Sequence, residues 1–371
     1  MSFFSKENRI LRLIWKGNVE EIRNIFGEIK WKDDTQKSGL EAKAILTAAE
    51  CGQVPILRYL FEEVNLGSTI KSKIATKALK LSTVFAHIRV VKYLVKEAKA
   101  NIEARDGSGY NALLNTIESN GPRNSQMEIV QFLCEAKAKI NARTDYGHTA
   151  LILASRRSKL NVVQYLLENY YAKDGGCGVN SHAQEFLGQR ADGHTALYFA
   201  IRNKHLNVVK HLLRFSADPN VVENMAIHNE VPLLVLAAGA STVEIVRELI
   251  DAKANINTQI LKNRETALHA AAEAGNYLTA KCLIEFRALV DVKNKNGATP
   301  QDLAEKCHNT RIETLLKDEH LRLLRETLVL DMPTLHMLHK NVLVAAGVSD
   351  EMMLEEEFDP GNMFSDSDDG M

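Results

Sequence analysis

Residues 147–154 read GHTALILA and residues 193–200 read GHTALYFA, five letters repeated 46 positions apart. Self-similarity at a fixed spacing marks a modular architecture, so the rest of the chain is read for further copies. Weaker copies keep register with a second block about thirteen residues downstream. That block recurs as VVKYLVKEAKANIEARD (90–106), IVQFLCEAKAKINARTD (129–145), VVQYLLENY (162–170), VVKHLLRFSADPN (208–220), IVRELIDAKANIN (245–257) and TAKCLIEFRALVDVKN (279–294). The threonine-equivalent positions Lys77, Asn111, Thr149, Thr195, Val231, Thr266 and Thr299 are 34, 38, 46, 36, 35 and 33 residues apart. The period is about 33, and 46 is one period plus about 13 inserted residues.

Within one unit, TALILASRR places Leu151, Leu153 and Ala154 toward one side of a short helix, and LNVVQYLLEN places Val162, Val163, Leu166 and Leu167 on a second. Helices shorter than about 12 residues are marginal alone in water, so each unit depends on its neighbours to cover its apolar faces. Ala154, Ala200, Ala237 and Ala271 predict close approach of successive helices. The starts Asp145-Tyr146-Gly147-His148 and Asp192-Gly193-His194 signal turns, in which Asp bonds forward to backbone N–H groups and Gly tolerates positive φ. Thr149 and Thr195 then stand where a hydroxyl caps the first helix.

These residues resemble the ankyrin repeat, a D-x-x-G-x-T-P-L-H-x-A-A block followed by V-V-x-x-L-L and an A-D-x-N turn. ETALHAAAEAG (265–275), GATPQDLA (297–304) and SADPN (216–220) match most closely. IWKGNVEEIRNIF (14–26) and TAAECGQVPILRYLF (47–61) mark the first two units through Gly17 and Gly52, 35 residues apart. The resemblance implies an all-α ankyrin-repeat solenoid of helix-turn-helix units with short β-turn fingers and a helical C-terminal cap. About nine divergent repeats are expected over residues 8–316, with a long insertion at 171–190. A helical cap follows at 317–348, and a disordered acidic tail at 349–371.

Composition agrees with a globular chain: 371 residues, 45% hydrophobic and 25% charged, are enough to bury a large core. The longest apolar run, Val231 to Ala240, is far short of the roughly 20 residues of a membrane span, and no signal peptide is visible. Five scattered cysteines without a C-x-x-C pair fit a reducing compartment. The net charge of -1 hides an asymmetry, because the nine acidic residues from Asp350 onward leave the body at +8.

Chemistry is hard to assemble from this sequence. Cys177 in YAKDGGCGVNSHAQEFLGQR (171–190), with His182 nearby, offers a remote cysteine-dependent enzyme, but nothing places a base or an oxyanion site beside it. No metal or cofactor site is expected: His148, His194, His205 and His269 occupy single repeat positions that suit turn and cap hydrogen bonds. Lys and Arg are interspersed with Glu and lack an aromatic platform, which argues against nucleic acid.

Surface recognition by a monomer remains. In ankyrin proteins the finger tips and the ends of the first helices line a concave face that binds protein partners. Carried over unit by unit, those positions are Tyr110, Glu118 and Ser119, then Tyr146, His148, Arg156 and Arg157, then His194, Arg202 and Asn203, and later Glu273 and Ala274. The arginines predict an acidic partner, since guanidinium forks match carboxylates.

The segment DEMMLEEEFDPGNMFSDSDDGM (350–371) mixes acidic runs with Met, Leu and Phe. Three roles are open for it: binding back in the basic groove, phosphorylation at Ser365 and Ser367, or export. Its Glu355, Glu356 and Glu357 resemble the glutamate-rich signal of bacterial Dot/Icm type IV secretion substrates. That resemblance implies a secreted effector reaching host cytosol and acting on host proteins. The alternative is an intracellular adaptor whose C-terminal helices recruit a second protein such as a ubiquitin ligase.

Overall fold

A computed structural model describes residues 3–29, 34–64, 68–171, 194–224 and 230–324, and within them the spacing of apolar residues gives mostly helices. Among the described residues the helices fall into nine consecutive pairs. The first three pairs are α1 (Phe3–Lys16) with α2 (Val19–Glu28), α3 (Asp34–Glu50) with α4 (Val54–Glu62), and α5 (Ser68–Val84) with α6 (Ile88–Lys96). The next three are α7 (Ala112–Glu118) with α8 (Arg123–Glu135), α9 (Ala150–Arg156) with α10 (Leu160–Tyr171), and α11 (Ala196–Arg202) with α12 (Leu206–Arg214). A short antiparallel hairpin, β1 (Val222–Asn224) and β2 (Glu230–Pro232), leads into α13 (Leu233–Gly239) and α14 (Val243–Asp251). The series continues through α15 (Ala267–Glu273), α16 (Tyr277–Glu285) and α17 (Pro300–Lys306) to a helix spanning 310–324.

The units are of two kinds. First helices are 14, 17 and 17 residues long in units one to three, but seven residues long in every later unit. The sequence explains the switch. Asn111, Thr149, Thr195, Thr266 and Thr299 each accept a backbone N–H from the first turn and so fix where the short helix begins. In α5 the equivalent position is Lys77, which cannot accept a backbone N–H, and the helix begins earlier, at Ser68. Lys77, expected as a cap position, therefore lies inside α5, and Val231 lies in β2, with the cap of α13 falling on Pro232.

Leu151, Leu153, Val162, Val163, Leu166 and Leu167 are all buried, as are Ala154, Ala200, Ala237 and Ala271. Each first helix packs on the next, from α1 on α3 to α15 on α17. At roughly 25 cal/mol per Å² of apolar surface removed from water, this repeated burial is the main force holding the stack.

Polar side chains set its spacing. In every unit but the fourth, the residue ending the first-helix turn adopts a left-handed conformation, with φ between 55 and 77° at Gly17, Gly52, Ala86, Ser158, Lys204, Ser241, Gly275 and His308. In several units the next residue reaches back to carbonyls at the end of the preceding unit's first helix, whereas Thr242 Oγ1 donates to Ala237 O of its own unit at 3.1 Å. Asn276 Nδ2 donates to Ala238 O at 2.7 Å and Gly239 O at 3.1 Å, and Asn309 Nδ2 to Ala272 O at 2.8 Å and Glu273 O at 3.2 Å. His87 Nε2 meets Glu50 O at 2.7 Å, and His205 Nε2 meets Arg156 O at 3.1 Å. A carbonyl accepts only, so both rings carry their proton on Nε2.

On the second helices, Arg23 lies 5.2 Å from the Tyr59 ring centroid, Arg58 5.8 Å from that of Tyr93 and Lys96 5.6 Å from that of Phe132. Ion pairs of Arg23 with Glu63 and Arg58 with Glu97 run alongside. These contacts link units one to four.

Replacing Asn276 with Ala removes two inter-unit hydrogen bonds and should lower stability by about 1–2 kcal/mol, read as a lower urea midpoint. The opposite is expected of Lys253→Gly: Lys253 is exposed at φ 70°, and glycine should add about 0.5–1 kcal/mol by relieving that conformation.

Candidate protein-binding surface

The left-handed residue gives each unit a common register. Two positions before it stand Trp15, Val84, Arg156 and Arg202, and one position before it Lys16, Phe85, Arg157 and Asn203. In unit four the chain departs from the pattern: α7 ends at Glu118, and Ser119-Asn120-Gly121-Pro122 replaces the tight turn. Because first helices stack on first helices, these residues form one row along the solenoid.

At the centre of the row, Arg156 and Arg157 converge on Glu118. Arg156 donates to both Glu118 oxygens at 2.9 Å, and Arg157 donates from Nε at 3.1 Å and from its terminal nitrogen. Burial pushes the Glu118 carboxyl up, but hydrogen bonds from Arg157 and Arg156 together with their charges outweigh it and hold the carboxyl below the usual range. The hydrogen bond to Glu118 in turn raises Arg157. Two cations thus share one anion and are fixed by it. Arg202 continues the row, lying 6.0 Å from the Tyr198 ring centroid with Nη1 3.3 Å from the Tyr198 hydroxyl.

The remaining expected residues divide. Tyr146 is 60% exposed, and Tyr110 is half-buried with its hydroxyl hydrogen-bonded by Arg156; burial first, then Glu118, raises Tyr110 above its ordinary value. Asn203 turns its amide to Phe199 O at 2.9 Å and Arg156 O at 3.5 Å. His148 is only 6% exposed: its backbone N donates to Thr144 Oγ1 at 3.0 Å and its ring lies 5.7 Å from that of Phe199. It braces the finger from inside and presents little to a partner. His194 stacks on Tyr198 at 3.8 Å, and Asp145, expected to bond forward, meets Arg105 at 2.7 Å, whereas Asp106 does bond forward to Ser108 and Tyr110. Glu355, Glu356, Glu357, Ser365, Ser367, Cys177 and His182 lie outside the described residues.

Lys159 is a part of this site that the sequence reading passed over. It occupies the same place as His205 and Asn276, but unit four gives it a different target: Nζ donates to Ser119 O and to Gln126 Oε1, both at 2.7 Å. The lysine is buried, and burial pulls it from its ordinary 10.5 down to about 8, with Glu118 opposing the fall and Arg157 and Arg123 reinforcing it. The signal was available, since Lys159 stands where other units carry Asn, Gln, His or Thr.

No group of His, Cys, Asp and Glu able to hold a metal ion is found among the described residues, and no described helix is long and apolar enough to cross a membrane.

A family model described as ankyrin repeats matches three times, over residues 87–175, 119–223 and 233–323. Together these cover well over half the sequence, and the chain belongs to the ankyrin-repeat family. It is 39% identical over 80 residues to the human Ankyrin repeat and KH domain-containing protein 1, matching 21% of this chain and 3% of that protein. It is 36% identical over 78 residues to the zebrafish (Danio rerio) Palmitoyltransferase ZDHHC17, matching 21% of this chain and 13% of that protein. The chain therefore spans only a small part of these relatives. The crystal structure of the ankyrin repeat domain of Bcl-3 superposes with a TM-score of 0.52 at 22% identity, covering 64% of this chain and 97% of that one, which shows the fold.

Because the folded state holds Lys159 near 8 and the unfolded state near 10.5, the unfolded chain binds the proton more tightly between those values, and folding stability rises with pH across that window. Urea titrations of the wild type and Lys159→Met at pH 7.5 and 10 should show the difference between them shifting toward the wild type at high pH; a pH-independent difference would contradict it.

Proposed function

We propose that this chain is a non-enzymatic protein-interaction scaffold that grips an acidic partner along the first-helix ends of units four to six. The convergence of Arg156 and Arg157 on Glu118 carries the reading. One carboxylate holds two guanidinium groups in place yet leaves the cluster positive, so a partner carboxylate meets cations whose side-chain freedom is already lost. Arg202 extends that charge by one unit, and exposed Tyr146, ahead of the amino end of α9, offers aromatic contact area. Family membership supports a protein partner, and the stack presents the row on rigid elements with little ordering cost. The adaptor alternative places a second partner on residues 317–348, described only through 324, and the secreted-effector role rests on Glu355, Glu356 and Glu357.

The double variant Arg157→Glu and Arg202→Glu changes exposed positions and should fold with near-normal helicity. Its affinity for a partner captured by the wild type should fall by about tenfold or more, with a weaker salt dependence. Unchanged capture and affinity, with folding verified by circular dichroism, would place the partner elsewhere on the solenoid.

A further inference from the structure

The row that carries Arg157 and Arg202 does not begin with them. Two units earlier the equivalent positions hold Val84 and Phe85, 41% and 43% exposed, where a soluble surface ordinarily carries polar side chains. The Phe85 ring lies nearly parallel to that of His87, with centroids 6.4 Å apart. The row is thus apolar in unit three, anionic at the shielded Glu118 in unit four, and cationic in units five and six. A ligand complementary to it is extended, with carboxylates followed at some distance by large apolar side chains.

Residues 350–371 of this chain have that composition and spacing. Glu355, Glu356 and Glu357 precede Met363 and Phe364 by about seven residues, which at ~3.3 Å per extended residue is ~23 Å. Units five and three are two helix spacings apart, about 16–20 Å at 8–10 Å each. The direction fits as well. The described chain ends in unit nine, so a segment returning along the row meets units six and five before unit three. From Leu324 to Glu355 there are 31 residues, which would reach about 47 Å as one continuous helix and up to about 100 Å fully extended. Four helix spacings, from unit nine to unit five, come to about 32–40 Å. The charges also match, nine acidic residues against a body of +8.

We infer that residues 350–371 dock in cis along this row, with Glu355, Glu356 and Glu357 on Arg157 and Arg202 and with Met363 and Phe364 on Val84 and Phe85. The inference rests on the protein-binding reading of the row and adds to it a built-in competitor. Tethering gives the segment an effective concentration of order millimolar, so an external partner binds only by displacing it. A partner able to do so carries the same acidic-then-aromatic pattern.

The test uses the full chain. A benzophenone-bearing phenylalanine placed at Phe364 should cross-link to residues 84–85, and one at Phe358 to the region of residues 118, 157 and 202. A labelled peptide of sequence 350–371 should bind the variant Glu355→Gln, Glu356→Gln, Glu357→Gln at least tenfold more tightly than the wild type, whose own segment occupies the row. Adding Phe85→Ala or Arg157→Glu to that variant should undo the gain. Cross-links scattered over other faces, or equal peptide affinity for both chains, would overturn the inference. Cross-links found only between differently labelled copies would overturn docking in cis. If these arms fail while the Arg157→Glu, Arg202→Glu chain still loses its captured partner, the row remains a binding surface and only the competitor is lost. If the cross-links form but partner capture is indifferent to those arginines, the row serves the segment alone.

Discussion

A seven-residue helix leaves more backbone groups unpaired at its two ends than it pairs internally, and six first helices of this protein have that length. That deficit organises the fold. Asn or Thr side chains close the amino ends of five of them from within the unit, and the side chain after the turn of the next unit reaches back to several of the carboxyl ends. No unit is complete alone. Apolar burial supplies most of the free energy, but these polar contacts decide how far apart the helices sit and therefore where every first-helix end falls along the row.

The same geometry produces the charged site. Helix ends that stack in register bring Glu118 of one unit beneath Arg156 and Arg157 of the next, although they are 38 and 39 residues apart in sequence. The carboxylate is partly desolvated, which by itself would favour its protonated form, and the two guanidinium groups reverse that. Lys159 shows the opposite outcome. Its two acceptors are neutral oxygens, so burial prevails and its proton is weakly held.

Much of the fold was legible in the sequence because its signals are local. The period, the capping threonines, the buried valine pairs and the small alanines depend on neighbours within one unit or on the identical neighbour in the next. The difference between units one to three and the rest was not legible from the same template: Lys77 matches a cap position by spacing but ends up mid-helix in α5, while Val231, also without a capping side chain, precedes a helix of only seven residues. The placement of Arg156, Arg157 and Arg202 at first-helix ends was readable from repeat position alone. Their tie to Glu118 needed the stack, because both chain separation and side-chain reach exceed what a pattern records. His148 shares the pattern of a finger tip but is drawn inward by Thr144 and Phe199, a contact made across units.

The reaching side chains differ from unit to unit: Gln53, His87, Lys159, His205, Asn276 and Asn309 do the same job with four kinds of side chain. In a repetitive chain this is a form of addressing. Lys159 is satisfied only against the unusual connector of unit four, with Ser119 and Gln126 in place, and a histidine rung holds its donor at another distance than an asparagine. A unit that stacked on the wrong predecessor during folding would strand a polar group in the interface, at a cost of about 1–3 kcal/mol. Irregular repeats are thus a safeguard against the misassembly to which tandem arrays are prone, written into the positions where an ideal repeat would be uniform.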